Sequence, residues 1–170
     1  MKLTSFLIAL GLCSISFSQS NVVTNFASIG GIGDEDLPTN QARFYYPRAL
    51  AVTPSGDIFV ADYGNYKVRK ITSSGTVSTY AGTGVGGIAN GPVATATFNT
   101  LNSIVVDNAG VVFVGDGSQI RKISGGIVSS FVGTFTNGSA DGTGTAASFS
   151  QEINGMVFDA SGNMYVTDTY

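Results

Sequence analysis

Three aspartates recur at matched positions in this chain. Asp62, Asp116 and Asp168 close the runs Gly56-Asp57-Ile58-Phe59-Val60-Ala61-Asp62, Gly110-Val111-Val112-Phe113-Val114-Gly115-Asp116 and Gly162-Asn163-Met164-Tyr165-Val166-Thr167-Asp168, at separations of 54 and 52 residues. Carboxylates at one level of a repeated unit could form a ring that takes a cation such as calcium, which prefers oxygen ligands. The other use of Asp at a strand end is to accept a hydrogen bond from the turn that follows. Its return at one position in every unit favours that structural use. The linker acids Asp34, Glu35, Asp36 and Asp141 form a second cation candidate. Asp141-Gly142-Thr143-Gly144 lacks the further carboxylates of a calcium loop, so these acids read as solvated loop. The chain has no histidine and a single cysteine, Cys13. Ser-His-Asp and Cys-His arrangements, and zinc sites of His or Cys ligands, therefore have no residues to be built from. No catalytic residue, no metal ligand and no cofactor is assigned.

The stronger candidates are binding residues. Tyr45, Tyr46, Arg48, Tyr63 and Tyr66 cluster in the first repeat, and aromatic rings beside an arginine suit contact with a protein or a glycan. Their alternative use is packing between repeats. Arg69-Lys70 and Arg121-Lys122 occupy one equivalent strand position and read as solvated edge residues with packed stems.

These residues must be positioned by a repeated element. Phe44, Phe98 and Phe149 keep the same step, as do Arg69-Lys70-Ile71 and Arg121-Lys122-Ile123. A period of this length marks an array of supersecondary units, none able to bury its apolar surface alone. Each unit divides into four short β-rich runs: 48–53, 57–61, 66–72 and 76–81 in the first, and 101–107, 111–115, 119–123 and 127–132 in the second. A third unit contributes 153–159 and 163–167, and residues 21–27 match the fourth run. Thr53-Pro54-Ser55-Gly56, Asp107-Asn108-Ala109-Gly110 and Asp159-Ala160-Ser161-Gly162 are type I turn sequences between first and second runs. Ser73-Ser74-Gly75 and Ser124-Gly125-Gly126 make tight hairpins between third and fourth. Runs such as Ile104-Val105-Val106 and Val111-Val112-Phe113-Val114 are apolar on both faces, so both faces of their sheets must be covered. Only like sheets are available to cover them. Four-stranded sheets packed face to face around an axis make an all-β propeller, and Ala49, Ala51, Ala61 and Gly115 are small enough to let inner strands crowd toward that axis.

With alternating strand directions, the short first–second and third–fourth turns lie on one side of the array. The second–third turns and the long connectors around 28–46, 82–100 and 133–151 lie on the other. Long loops on a rigid scaffold are where binding residues concentrate, which makes the connector side the expected binding face.

Residues 1–18 stand outside the array. Lys2, the apolar stretch from Phe6 to Leu12 and the small-residue exit at 14–18 read as a secretory signal peptide, too short for a membrane anchor. Bulky Leu12 before Cys13 argues against a lipidated cysteine. The chain carries 8 Lys and Arg against 11 Asp and Glu, for a net charge of −3. Its basic residues are scattered, which argues against nucleic acid; no later run is long enough to be a transmembrane segment.

Tyr46-Pro47-Arg48-Ala49-Leu50-Ala51-Val52, then 56–62, then Asn65-Tyr66-Lys67-Val68-Arg69-Lys70-Ile71, resemble an NHL repeat. The linker from Asn137 to Phe149 resembles the blade connector of secreted bacterial members. The resemblance implies a propeller of the six-bladed kind, of which about two and a half to three blades are present. Residues 21–27 would be a ring-closing outer strand, 44–97 and 98–148 blades, and 149–170 the start of a further blade of a longer parent. The second unit departs from the pattern, with only Gly117-Ser118 where the first has Tyr63-Gly64-Asn65. The family hosts scaffolds, sensors, RNA binders and a lyase. The expectation here is an exported, non-enzymatic scaffold engaging a protein, peptide or glycan. The alternative is a metal-assisted lactonase or lyase whose residues lie partly in other blades.

Overall fold

A computed structural model describes residues 25–28 and 30–169; the signal-peptide segment and residues 21–24 of the expected opening strand lie outside these. The first sheet is a four-stranded antiparallel meander: β1 (Pro47–Val52), β2 (Ile58–Asp62), β3 (Lys67–Ile71) and β4 (Val77–Ala81), in spatial order β1-β2-β3-β4. The second repeats it with β6 (Leu101–Val106), β7 (Val112–Asp116), β8 (Gln119–Ser124) and β9 (Ile127–Gly133), and gains a short β5 (Gly91–Pro92) in the order β5-β9-β8-β7-β6. A third unit supplies the hairpin of β10 (Glu152–Phe158) and β11 (Met164–Thr169).

The turns follow their residue types. Gly56, Gly110 and Gly162 donate their N–H to the carbonyls of Thr53, Asp107 and Asp159 at 2.9, 3.0 and 3.1 Å. Each has φ between 81° and 86°, the left-handed region where a side chain would strain the backbone. The Asp107 carboxylate also accepts from the N–H groups of Ala109 and Val111, at 2.9 and 2.8 Å.

Both faces of the central strands are covered. β2 and β7 are buried along their whole length. Phe59, Ala61, Val68 and Ala81 of the first sheet join Phe98, Leu101, Ile104, Val112 and Val114 of the second in one core. A further cluster joins Phe113 and Ile120 to Ile153. The first strand of each unit lies nearest its neighbours, so β1, β6 and β10 converge. The small residues sit where the sheets meet. Ala61 is fully buried, and a Cβ on Gly115 would come within 2.7 Å of the Ile153 carbonyl of the next unit. Side by side, sheets with inner first strands are the architecture of propeller blades.

The connectors depart from expectation. Instead of staying on one side, the first two run down the outer edge of the blade they precede. Leu37 and Thr39 exchange backbone hydrogen bonds with Val77 and Gly75 at 3.0 and 2.9 Å, and Gly91–Pro92 pairs with Ile127–Val128. The reason is the edge itself. β4 and β9 would otherwise present unpaired N–H and C=O groups. Only the connector ends remain on the side expected to bind. Within the expected 21–27 strand, Ala27 is buried against the first-sheet cluster of Phe44, Ile58, Ile71 and Val77.

Candidate functional site

Each blade is tied to its connector by a buried ion pair. Arg69 and Arg121, expected to be solvated, have side chains with no exposed surface, as do their partners Asp62 and Asp116. The Nη1 groups donate to the carboxylates at 3.1 and 2.9 Å. The remaining donors go into the connectors. Arg69 reaches the carbonyls of Arg43 and Glu35 and the Asp36 carboxylate, at 3.3, 2.9 and 2.6 Å. Arg121 reaches the carbonyls of Thr97 and Ala89 and the Asn90 side-chain oxygen, at 2.7, 2.7 and 2.8 Å. The other carboxylate oxygens hold the connector ends, through Tyr45 N–H at 2.8 Å in the first blade and Asn99 and Thr100 N–H at 2.8 and 2.7 Å in the second. In the third unit Asp168 accepts from Ser150 N–H at 2.7 Å.

The aspartates therefore serve chiefly the connector ahead of them rather than the turn behind. Asp62 alone among them takes a bond from that turn, 2.8 Å from Asn65 Nδ2. Burial pushes both Asp62 and Asp116 above the ordinary carboxylate range; the donors on each oppose it only in part. The expected solvated acids are also engaged: Asp34 salt-bridges Lys67 at 2.6 Å, Glu35 pairs with Arg43 at 3.6 Å and Asp36 with Arg69 at 2.6 Å. The Lys67 ammonium pulls Asp34 below its ordinary value. Asp141 is exposed. No group of three or more His, Cys, Asp or Glu able to hold a metal occurs among the described residues.

The five expected binding residues lie at the end of the first blade where the connector arrives and β2 turns into β3. The rings of Tyr45 and Tyr46 stand 4.7 Å apart, tilted by 30°. Tyr45 lies against Gly64, whose N–H donates to the Tyr45 carbonyl at 2.7 Å. Tyr46 is 67% exposed and holds φ at 48°. The Arg48 guanidinium stacks on Tyr63, 3.7 Å from the ring centroid. Tyr66, with φ at 52°, closes the Tyr63–Asn65 turn and packs against Gly86 of the following connector. Tyr45, Tyr63 and Tyr66 are half-buried. Thus Tyr66 leans into the blade junction, while Tyr46 and Arg48 face solvent.

One residue of this cluster was missed. Arg48 Nη1 donates to Asn102 Oδ1 across the blade junction. Arg48, Asn102 and Asn154 are equivalent: each is the bulged residue of an inner strand, between Pro47 and Ala49, Leu101 and Ser103, and Ile153 and Gly155. A bulge re-aims a side chain that a regular strand would turn elsewhere. The signal was available as matching positions in the three repeats, but nothing in local composition marks a bulge. On the side of the short turns, a cavity of about 810 Å³ opens between Leu50, Val52, Val106, Phe113 and Met156. None of the expected binding residues lines it.

Antiparallel four-stranded blades with converging first strands define a β-propeller fold. Residues 44–71 match the NHL repeat family, and the described residues have a propeller-like architecture. It resembles a Bacteroides thetaiotaomicron structural-genomics protein of unknown function, with a TM-score of 0.70 and 23% identity over 88% of this chain and 38% of that one. A B. thetaiotaomicron auxiliary nutrient binding protein is similar at a TM-score of 0.49 and 26% identity, covering 61% of this chain and 29% of the other. Among curated proteins, Teneurin-1 of Caenorhabditis elegans is 42% identical over 38 residues, 22% of this chain and 1% of that protein. The chain thus spans well under half of the length of each of these relatives. No helix among the described residues is long and apolar enough to cross a membrane.

Proposed function

We propose that the protein is an exported, non-enzymatic binding scaffold that presents the Tyr45, Tyr46, Arg48, Tyr63 and Tyr66 end of its first blade to a glycan, with a peptide or protein surface as the other partner class. The observation that carries this reading is Tyr46. A large ring exposed to 67% and held at a φ of 48° is costly for a residue with a side chain, by about 1–3 kcal/mol. Strain of that kind is kept where the surroundings over-determine it, and here Tyr45 buttresses the ring from one side. An open aromatic face of this sort suits the apolar face of a sugar ring or a partner's side chain. The connector ends and the Asp62–Arg69 pair supply the rigid base that a binding loop needs.

A glycan array probed with the intact protein and with Tyr46→Ala tests the reading. A set of glycans retained by the native protein and lost with Tyr46→Ala, at unchanged melting temperature, is the expected result. Equal retention by the two proteins would overturn this face as the binding site.

A further inference from the structure

Arg48, two residues from Tyr46, is a cation with no carboxylate partner among the described residues. Of the described cations, Arg43, Lys67, Arg69, Lys70 and Arg121 each pair with a carboxylate, whereas Arg48 and Lys122 do not. Lys122 is a half-buried strand residue of the second blade. Arg48 is exposed, yet its guanidinium is held in place: one face lies on Tyr63 at 3.7 Å and Nη1 is spent on Asn102 Oδ1. An arginine fixed in this way keeps the rest of its donor fork pre-ordered for an incoming planar acceptor.

Asn102 adds the second observation. It is 95% buried, being 5% exposed, and its Nδ2 has no hydrogen-bond partner. A buried amide N–H left unpaired costs about 1–3 kcal/mol, so the group calls for an explanation. The guanidinium dictates the orientation of the amide, since turning it over would set donor against donor. Because Oδ1 and Nδ2 share one planar group, the unpaired N–H lies beside the guanidinium. The two donors come from the equivalent bulges of adjacent inner strands, so the pair straddles the junction of two blades.

We infer that Arg48 and Asn102 form a carboxylate-recognition point and that the ligand is an acidic saccharide, its uronate carboxylate on these donors and a sugar ring on Tyr46. This rests on the glycan-binding reading above and narrows it to a charged class. A carboxylate accepts two parallel N–H bonds and satisfies the orphaned amide, whereas a neutral sugar hydroxyl matches neither the charge nor the fork. Peptides ending in a free carboxylate present the same charge without a ring for Tyr46.

The test is calorimetric titration of the intact protein with tri-galacturonate, with its fully methyl-esterified form, and with a tripeptide bearing a free C-terminus. Arg48→Gln and Asn102→Asp are titrated alongside, with melting temperatures checked for each. Arg48→Gln replaces an exposed side chain and keeps one donor to Asn102. Asn102→Asp keeps the shape but turns the orphan donor into an acceptor and gives Arg48 a carboxylate of its own. The expected result is saturable binding of the acid, at least tenfold weaker binding of the ester, and at least tenfold loss of acid binding in both variants. Acid and ester binding alike, with Tyr46→Ala abolishing both, would overturn carboxylate recognition while leaving the glycan-binding face intact. Binding of the tripeptide but not of tri-galacturonate would overturn the saccharide assignment. No response to any probe, or unchanged binding in Arg48→Gln, would overturn the inference outright.

Discussion

The first and second blades solve one problem with different charges. Each pins its connector with an arginine–aspartate pair buried to completion, and every partner of Arg69 has its counterpart 54 residues on: Arg43 and Thr97, Glu35 and Ala89, Asp36 and Asn90. Even the packing ring returns, with Phe44 and Phe98 placed 5.2 and 5.1 Å from the guanidinium carbons. The difference is at the third contact, where the first blade offers a carboxylate and the second an amide. Asp36 keeps 45% of its side chain exposed, so its charge remains solvated and costs little. Two acids on one arginine are tolerated where one of them reaches water. The pin is therefore a matter of geometry, shared by both blades, and its net charge is free to vary.

The largest effect should come from removing the pin. Arg121→Leu would leave Asp116 buried beside bare connector carbonyls, and breaking such a pair from one side costs about 3–5 kcal/mol. Arg69→Leu should cost less, because Asn65 Nδ2 still serves the Asp62 oxygen that the arginine vacates, whereas Asn99 and Thr100 both donate to the other oxygen of Asp116 and leave the vacated one bare. Denaturant unfolding of both variants checks the order; equal losses would mean that the Asn65 donor contributes nothing.

The next effect sharpens the contrast at the blade junctions. Ala61 fits between the first and second blades, but its counterpart Gly115 faces the Ile153 carbonyl, where a Cβ would approach to 2.7 Å. Gly115→Ala should destabilise by about 1–3 kcal/mol, the usual cost of overpacking a tight site. Thermal melts decide this, and a variant as stable as the native protein would show that the third unit shifts freely against the second.

A smaller, pH-dependent effect distinguishes the pins from the surface pairs. Asp116 has its folded-state pKa raised by burial above the ordinary value of 3.8, so between those two values the folded state holds more protons than the unfolded one. The stabilising contribution of Asp116 is thus complete below 3.8 and is lost as pH rises through the folded-state value. Asp57, lowered by its bond to Lys70, behaves oppositely: its contribution is present above 3.8 and lost as pH falls through the folded-state value. Unfolding curves of the native protein and Asp116→Asn across this acidic range should show the native protein's advantage shrinking as pH rises. An advantage that grows with pH would mean that Arg121 outweighs burial. Smallest of all, Asp36→Asn copies the second blade's amide into the first, and melting should move by the equivalent of less than about 1 kcal/mol, as for partly exposed pairs.

Much of this architecture is legible in the residues themselves. Turn residues bracketing apolar runs placed the strands to within a residue or two, since Gly56, Gly110 and Gly162 leave the chain little choice. The buried arginines were not readable, and the cause is physical. In Arg69-Lys70 both side chains are cationic, but strand alternation sends them to opposite faces, and only the partners tell which face is wet. Half of those partners are backbone carbonyls, which leave no mark on residue identity. The edge pairing of the connectors escaped for the same reason: Leu37 and Thr39 bond through their main chains. Within the proposed binding cluster, Tyr46 and Arg48 were legible as an aromatic beside a cation. Asn102 was not, because its role depends on a bulge and on a neighbour 54 residues earlier.

The connector that runs down the outer edge comes before its blade in the chain. During synthesis it leaves the ribosome first, so the segment that will cover the outermost strand is waiting when that strand is made. Each edge is shielded as it forms, and the span in which a nascent sheet could recruit a neighbouring copy is correspondingly short. It follows that the heritable block is the connector together with the blade after it, near 30–81 or 84–133. A duplication taken in that frame carries its own shield, whereas one taken from strand to strand would lay down a new sheet with a bare flank.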